Sequence, residues 1–159
     1  MKRSIFLSLT ALLFSISSYA QANFTGSWTF KDQQSISGNL YANGSPRQVT
    51  ITQNGSEINL TEVVNYGQDT TLTETLSLKK PFETKTPMGR KKEITLSSTS
   101  DGSSFAEVAN IYNLADPSKL DMKETSTWTL ANGELTLDRK SENFTNGETW
   151  ESRAVYQKQ

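Results

Sequence analysis

The sequence contains neither cysteine nor histidine. Without cysteine, the chain cannot form disulfides, zinc–thiolate sites or thiol nucleophiles, and it cannot carry a bacterial lipoprotein anchor, which needs a cysteine at the cleavage site. Without histidine, imidazole-based triads, haem ligation by histidine and most zinc or copper sites are excluded. We therefore expect no metal site and no cofactor, and a fold held together by an ordinary hydrophobic core.

Long apolar runs are also scarce. One lies at residues 5–16, after two basic residues, and it is too short to cross a bilayer as a helix, which takes about 20 apolar residues. It is typical of a secretory signal peptide, and we predict that residues 1–20 are this peptide, with cleavage after Ala20 or Ala22. Residues 23–159 are then expected to form one domain, secreted or periplasmic, with no transmembrane segment.

Net charge is low. Lysine and arginine number 16 against 17 aspartates and glutamates, and removal of the predicted signal peptide leaves 14 against 17, a net charge of −3. A weakly acidic chain of this kind has no general attraction for phosphate backbones. We therefore expect no nucleic-acid partner.

Helical periodicity is absent, and turn signals take its place. Glycine follows asparagine or aspartate at 43–44, 54–55, 101–102, 132–133 and 146–147, and such pairs suit type I′ hairpin turns because these residues tolerate positive φ. Alternating or β-branched runs lie between the turns. They predict strands near residues 24–31, 47–53, 57–65, 70–79, 92–99, 104–114, 121–130, 134–142 and 148–157, with a further short strand at 36–41.

This succession of strands and tight turns is typical of an antiparallel meander. We predict an all-β fold, an antiparallel up-and-down β-barrel of about 8–10 strands, because closure removes the exposed edges of a sheet. A β-sandwich is the alternative that the pattern leaves open. In either fold, one sheet face of the C-terminal third is expected to collect Trp128, Trp150 and Tyr156.

Motifs at both ends of this pattern resemble those of known barrels. Gly26-Ser27-Trp28, on the first strand, resembles the Gly-x-Trp signature of the lipocalins and the wider calycin group. The final SRAVYQK resembles the last strand of fatty-acid-binding proteins, and the W-x-L…G-x-L-x-L pattern from Trp128 to Leu137 resembles small secreted bacterial lipocalin-like proteins of unknown function. The resemblance implies a lipocalin-like barrel that binds a small apolar molecule.

The chain also departs from fatty-acid-binding proteins in two respects. Those proteins insert a helix–turn–helix after the first strand, where this chain has the polar segment KDQQSISGNLYANGSPRQ. Their last strand carries an arginine and a tyrosine two residues apart, on one face, whereas Arg153 and Tyr156 are three apart and are expected on opposite faces. The carboxylate-binding pair of that family is therefore not transferred to this chain.

The phase of the predicted strands indicates which side chains face the barrel interior. These side chains line a ligand site if the barrel interior is hollow, and they form the hydrophobic core if the interior is packed solid. The predicted lining residues are Trp28, Phe30, Leu72, Glu74, Leu76, Trp128, Leu137, Arg139, Trp150 and Tyr156.

Two of these lining residues are charged and lie on apolar faces. Glu74 shares its phase with Leu72 and Leu76, and Arg139 follows Leu137 in phase. A buried charge needs a partner or water, so we expect an Arg139–Glu74 pair, a polar group in a ligand cavity, or side chains near the barrel mouth.

The resemblance implies a second position for an arginine. In lipocalins an arginine closes one barrel end by stacking over the conserved tryptophan. Arg139 or Arg153 is the candidate for this role over Trp28, as a cation–π contact.

Paired carboxylates are the catalytic chemistry that this composition still permits. Glu74, Glu107 and Glu124 are present, but no spacing favours a pair. Glu107 also lies on a strand whose two faces are equally mixed, so its orientation stays open. We therefore predict a protein without catalytic residues.

The segment KKPFETKTPMGRKKE, residues 79–93, concentrates basic side chains. It holds six basic and two acidic residues, and its prolines and glycine predict a loop or a long hairpin end. It is a candidate contact for a protein or an anionic surface, or else a solvated loop. The leading hypothesis is thus a non-catalytic ligand-binding barrel; the alternative is an envelope-associated interaction module, or an inhibitor of a secreted enzyme, that acts through its loops.

Overall fold

The described chain is built from strands. The computed structural model describes residues 22–38, 45–65 and 67–159, which form ten β-strands in one antiparallel sheet. Within these ranges no helix is long and apolar enough to cross a membrane. The strands are β1 (Gly26–Gly38), β2 (Gln48–Asn54), β3 (Glu57–Asn65), β4 (Asp69–Ser77), β5 (Phe82–Lys85), β6 (Lys91–Ser98), β7 (Ser104–Tyr112), β8 (Leu120–Ala131), β9 (Glu134–Asn143) and β10 (Thr149–Lys158).

Pairing of the first strand with the last closes this sheet into a barrel. The strands follow chain order from β5 to β10, and β10 pairs with β1, which leads on to β4. At the remaining junction, between β4 and the β5–β6 hairpin, the described residues form an isolated bridge from Ser77 to Lys80 in place of a ladder. We call this junction the seam. The predicted all-β antiparallel barrel is confirmed, and it is nearly closed.

The tenth strand lies where the sequence pattern did not indicate one. β5 occupies part of the basic segment and forms a hairpin with β6. The prediction of a separate strand at 36–41 is wrong for residues 36–38, because these residues belong to β1, which runs without interruption to Gly38. Residues 39–41 lie outside the described residues. Two register shifts against β10 bend this long first strand around the barrel.

The described hairpin turns use glycine as predicted, but their types differ. Asn132-Gly133 joins β8 to β9 with φ of 53° and 80°, as a type I′ turn requires. In the other three described turns of this kind the glycine alone has positive φ, so the type I′ prediction is wrong there. These glycines are Gly55, Gly102 and Gly147. The turn predicted at 43–44 lies outside the described residues.

One end of the barrel, the closed half, is filled with apolar side chains. The Trp28 indole N–H donates to the carbonyl oxygen of Phe24 at 3.0 Å. Phe105 meets Phe24 edge-on and stacks on Trp128, with ring centroids 4.9 and 6.2 Å apart. Each large side chain buried here contributes roughly 2–3 kcal/mol. Fully buried members include Phe24, Trp28, Ile51, Leu76, Ile94, Phe105, Trp128, Leu135 and Leu137.

The opposite end, the open half, carries most of the longer connections. The β7–β8 and β9–β10 connections leave from it, as do the β1–β2, β3–β4 and β5–β6 connections. Interior positions change from apolar to charged residues midway along the barrel, and Val64 on β3 and Ile111 on β7 lie buried beyond them, nearer this end. This change of composition along the barrel axis positions the candidate site described below.

Gly38, at the end of β1, is the glycine whose replacement should damage the fold most directly. Its φ is +86°, and an added Cβ would lie 2.2 Å from the Thr149 carbonyl oxygen and 2.8 Å from the Trp150 Cα. Both are backbone atoms of β10, so β1 would have to move away. We expect Gly38→Ala to lower the free energy of unfolding by about 3 kcal/mol or more in urea denaturation.

Gly55→Ala is the matched control for this prediction. Gly55 also has positive φ, +59°, but nothing lies within 4 Å of an added Cβ. It should cost roughly 1–2 kcal/mol, the ordinary penalty for a left-handed alanine. Equal losses in the two variants would show that the contact with β10 is not limiting.

Candidate functional site

Six charged side chains of the described residues face the interior of the open half, and we call them the ionic layer. Each occupies the interior phase of its strand; Glu62, for example, lies between the buried Leu60 and Val64. The layer consists of Glu62 on β3, Glu74 on β4, Lys92 on β6, Glu107 on β7, Glu124 on β8 and Arg139 on β9.

Arg139 spans the barrel interior from β9 to β3. Its Nη2 donates to Glu62 Oε1 at 3.0 Å, and its Nε lies 3.2 Å from Ser126 Oγ and 3.4 Å from Glu124 Oε1. Because β3 and β9 are separated in the sheet by β2, β1 and β10, the contact with Glu62 crosses the interior. Burial opposes the charge of Arg139, yet the two carboxylates raise its pKa above the usual value.

Lys92 and Glu74 form an ion pair across the seam. The Lys92 Nζ lies 2.6 Å from Glu74 Oε1, and both side chains are largely buried. Burial disfavours the ammonium, but Glu74 raises the pKa of Lys92 above its usual value. This side-chain contact joins β4 to β6 where the backbone ladder is interrupted.

Glu107 is the most deeply buried carboxyl group of the layer. It is 8 % exposed and accepts a hydrogen bond from the Trp128 indole N–H at 2.5 Å. Burial, followed by the charges of Glu62 and Glu74, raises the pKa of Glu107 from 4.5 to about 8. Its carboxyl group is therefore mostly protonated at neutral pH. Burial likewise raises the pKa of Glu62.

Two buried hydroxyl groups adjoin the ionic layer without a hydrogen-bond partner in the described part of the chain. They belong to Tyr156 on β10 and Ser141 on β9. Burial raises the pKa of Tyr156, so its phenol stays protonated. Both groups can donate and accept hydrogen bonds, which leaves the interior with unused polar capacity.

The predicted lining residues are divided between the two halves of the barrel. Trp28, Leu76, Trp128 and Leu137 are fully buried in the closed half. Phe30 packs against this core, with its ring edge-on to that of Tyr156 at 6.0 Å. Tyr156 is itself fully buried and lies between the core and the ionic layer.

The remaining predicted lining residues lie in the open half. Leu72 and Trp150 are partly exposed there, and Glu74 and Arg139 belong to the ionic layer. The structure thus brings an apolar floor and a polar upper layer together in one interior. That these residues contact a ligand stays a prediction.

The predicted Arg139–Glu74 pair is wrong, although both charges are paired inside the barrel. Arg139 contacts Glu62 and Glu124, and Glu74 contacts Lys92. Alternation along a strand determines which face a residue occupies. It does not determine which strands face each other across the interior. The ion-pair partners of Arg139 and Glu74 depend on that arrangement of strands.

A lysine covers Trp28 in the structure. Lys158 is opposite Trp28 in the β1–β10 ladder, and its Nζ lies 5.5 Å from the centroid of the indole ring. The lysine stem passes Gly26, where an added Cβ would lie 2.7 Å from Lys158 Cε. The glycine of Gly-x-Trp therefore leaves room for this cation.

The prediction that Arg139 or Arg153 covers Trp28 is accordingly wrong. Arg139 belongs to the ionic layer, and Arg153 donates two hydrogen bonds to Asp138, at 2.6 and 2.8 Å, from a half-exposed position. Arg153 and Tyr156 lie on opposite faces of β10, as their spacing of three predicted.

The basic segment 79–93 is less basic at the surface than its composition indicated. Lys92 points into the barrel, and Arg90 pairs with Asp121 and donates to the Tyr112 carbonyl oxygen at 3.1 Å. Lys91 lies over the Tyr112 ring, 4.9 Å from its centroid, and lines a surface cavity of about 740 Å³. A contact of this segment with a protein or an anionic surface stays a prediction.

A smaller cavity, of about 220 Å³, touches the ionic layer. Its lining includes Arg139 and Ser152, which face the interior, and Asp138 and Arg153, which lie at the outer surface. Lys140 and Glu151 also line this cavity, which lies over β9 and β10, whose ladder is continuous.

Sequence reasoning missed several members of the ionic layer. Glu62 follows Leu60 in phase, and Lys92 precedes Ile94 and Leu96 in phase. The alternation that placed Glu74 inside would also have placed these two inside. Ser141 carried no comparable signal, because serine is common on both faces of this sheet.

Solved structures with the same barrel fold include proteins that carry fatty acids. The REP1-NXSQ fatty acid transporter has a TM-score of 0.56 and 12 % identity over 85 % of this chain and 95 % of that one. A Schistosoma mansoni fatty acid binding protein in complex with arachidonic acid has a TM-score of 0.55 and 15 % identity, over 86 % and 96 %. Human cRBP IV has a TM-score of 0.57 and 13 % identity, over 87 % and 99 %. No protein-family model and no curated protein matches the sequence.

Glu107 should make stability fall as pH rises. The folded chain holds its proton up to about pH 8, whereas an unfolded glutamate releases it near pH 4.5. The contribution of Glu107 to the free energy of unfolding is therefore fully present below pH 4.5. It falls by up to about 1.4 kcal/mol per pH unit as the pH rises, until it is lost at about pH 8. In urea denaturation from pH 5 to 8.5, Glu107→Gln should gain stability relative to the natural chain as pH rises.

The glutamine keeps an oxygen that accepts the Trp128 N–H, so the variant changes the titration alone. Glu83→Gln, at an exposed position of β5, is the control and should follow the natural chain at every pH. Parallel stability curves for Glu107→Gln and the natural chain would refute the assignment of the titration to Glu107.

Proposed function

We propose that this protein is a non-catalytic, lipocalin-like carrier that is secreted or periplasmic and holds a small hydrophobic or amphipathic ligand in the open half of its barrel. The observation that carries the proposal is the composition of this interior. An apolar floor of Leu137, Trp128 and Tyr156 lies under a polar layer with two unsatisfied hydroxyl groups. A molecule with an apolar body and a polar end matches this arrangement.

Solvent contact supports the open end as the point of entry. Arg139, Glu62 and Glu74 lie inside the barrel, yet their side chains are 11 %, 14 % and 15 % exposed. Lys92 and Glu124 are exposed to 22 % and 26 %. A ligand that enters from this end passes Val64 and Ile111, then the ionic layer, and then the apolar floor.

The similar structures support a hydrophobic ligand. One is a fatty acid transporter, and another is a fatty acid binding protein in complex with arachidonic acid. A barrel of this architecture thus accommodates an acyl chain in at least one of those proteins. This chain has the same fold.

The contacts of the carboxyl groups support a non-catalytic role. Glu62 and Glu124 contact Arg139, and Glu74 contacts Lys92. Glu107 accepts the Trp128 indole N–H. Each carboxyl group is therefore committed to an interior partner, whereas glycoside hydrolysis needs an acid and a second carboxylate that face a substrate cleft.

Titration of the tryptophan fluorescence tests ligand binding. We expect saturable changes with members of a panel of fatty acids, retinoids, haem and neutral or cationic amphiphiles. Leu72→Gln, in the open half, should weaken the best ligand roughly 3–10-fold, because about 1 kcal/mol of apolar contact is lost. Thr73→Gln, on the adjacent exposed outer position of β4, should bind normally. A flat response across the panel would contradict the proposal.

The surface cavity near the β5–β6 hairpin favours a second candidate function. Lys85, Lys91 and the exposed Leu114 line this cavity, which offers basic and apolar groups to a partner. An envelope-associated module or an inhibitor of a secreted enzyme would act through such a surface. A flat ligand titration would make it the leading candidate.

The proposed location depends on residues 1–20, which lie outside the described residues. Ala22 donates its backbone N–H to the Gly102 carbonyl oxygen at 3.1 Å and packs against the core. Cleavage after Ala20 preserves these contacts, whereas cleavage after Ala22 removes them.

We therefore expect the exported protein to begin at Gln21, as measured by intact mass after expression with its leader in a Gram-negative host. A mature chain that begins at Asn23 would contradict this cleavage position. Retention of the full-length chain in the cytoplasm would contradict the location itself.

A further inference from the structure

The ionic layer contains more acidic than basic groups. Four glutamates face two cations, Lys92 and Arg139; with Glu107 protonated at neutral pH, the other three glutamates leave an excess of one negative charge. Both cations are already engaged, Lys92 by Glu74 and Arg139 by Glu62 and Glu124. The excess charge therefore lies in an interior where water screens it only in part.

The two unsatisfied hydroxyl groups adjoin different parts of the ionic layer, because Tyr156 and Ser141 lie six positions apart in the β9–β10 ladder. Tyr156 and Ser141 are 0 % and 1 % exposed, and their hydroxyls have no partner in the described ranges. Tyr156 interacts electrostatically with Arg139 and Glu62. Ser141 lies two residues beyond Arg139 on the interior face of β9, opposite Glu124 on β8. Because buried polar groups are rarely left unpaired, each of these hydroxyls indicates the position of a polar partner.

A carboxylate head group would fit this interior poorly. To reach a cation it would have to displace Glu62 or Glu124 from Arg139, or Glu74 from Lys92. The displaced glutamate would then be buried without a partner, which is strongly unfavourable. The ligand would also add a fifth carboxyl group to a layer that already has an excess of them.

A protonated amine would fit it well. An ammonium group donates up to three hydrogen bonds, and Ser141 on β9 and Glu124, its partner in the β8–β9 ladder, carry acceptor oxygens on neighbouring strands. Its positive charge would offset the excess of the layer without displacing an existing ion pair. Its aliphatic chain would extend toward the apolar floor.

We propose that the ligand of the open half is a cationic amphiphile, an aliphatic chain that ends in a protonated amine, and that the ionic layer discriminates against carboxylates. This inference rests on the proposed function and specifies its ligand class. The juxtaposition that carries it is an acidic excess together with the buried, unpartnered Ser141 hydroxyl, which lies opposite Glu124 in the β8–β9 ladder.

A metal ion does not fit the same charge. In the part of the chain that the structure describes, no three acidic side chains converge closely enough to hold one. Metal ligation needs several oxygens within about 2.0–2.6 Å of one point. An ammonium group instead bonds at hydrogen-bond distances to acceptors that stand further apart.

Glu107 links the ligand preference to pH. Its pKa of about 8 reflects burial and the neighbouring glutamates, and a bound cation would lower it. Amine binding should therefore release a proton at pH 7–8. The charged and titratable groups that face Glu107, or belong to the layer around it, are Glu62 on β3, Glu74 on β4, Lys92 on β6, Glu124 on β8, Arg139 on β9 and Tyr156 on β10.

Three probes of equal chain length test the proposal: dodecylamine, dodecan-1-ol and dodecanoate, each below its micelle concentration. At pH 7.5 we expect dodecylamine to bind at least tenfold more tightly than dodecanoate, with dodecan-1-ol between them. Calorimetry in two buffers of different ionisation enthalpy should show proton release with dodecylamine.

Glu107→Gln removes the titrating group and keeps the acceptor for Trp128. At pH 8.5 it should weaken dodecylamine roughly 3–10-fold, abolish the proton release and leave dodecan-1-ol unchanged. Glu142→Gln is the matched control, because Glu142 lies on β9 beside Lys140, outside the ionic layer. It should bind all three probes like the natural chain.

The outcomes separate this inference from the proposed function. Dodecanoate binding as tightly as dodecylamine, or equal binding of all three probes, would overturn the cationic preference and leave a ligand-binding barrel. Weakening by Glu142→Gln equal to that by Glu107→Gln would also overturn it, because the effect would then be general electrostatics. Failure of all three probes, with binding elsewhere in the panel, would overturn the cationic preference alone, and a flat response across the whole panel would overturn both proposals.

Discussion

The pairing of β1 with β10 is the constraint on which the rest of this structure depends. Once the two terminal strands join, alternate residues of every strand face a shared interior, and polar residues in that phase have to find partners there. Gly38 permits the pairing at one end, where backbone atoms of β10 leave no room for a Cβ. At the other end, Gly26 leaves room for Lys158 over Trp28. The ionic layer follows from this closure, because an open sheet would leave Glu62 and Arg139 far apart.

The buried charges do not explain stability by themselves. Desolvation of an ion pair costs about as much as the pairing returns, and an apolar replacement of the same shape is often as stable. The closed half supplies the favourable term through its packed rings and aliphatic side chains. The two halves of the barrel therefore differ in role. Apolar packing stabilises the closed half, and the open half retains buried polar groups that do not add to this packing. Retention of such groups at an energetic cost is typical of functional sites.

The local sequence pattern was sufficient to predict the strands and the sheet face that each residue occupies. It was not sufficient to predict which side chains contact each other. Glycine-containing turns and alternation were sufficient to predict nine strands and the interior position of Trp28, Glu74 and Arg139. β5 was missed because four residues between prolines carry almost no periodic signal. The partner of Arg139 was missed because β9 meets β3 across the interior, and no sequence rule specifies the pairs that form across a barrel. Lys158 was missed because a lysine near a terminus resembles any solvated residue.

The seam leaves the circumference of the barrel adjustable at one place. Elsewhere, widening the barrel would break rows of backbone hydrogen bonds, each leaving a donor and an acceptor to be satisfied again. Between β4 and β6, the described residues place the ion pair of Glu74 with Lys92 in a position where a ladder would otherwise run. The bridge between Ser77 and Lys80 holds the seam together at the end that lies in the closed half. Widening the barrel at the seam would therefore separate one pair of side chains and leave the backbone ladders of the sheet intact.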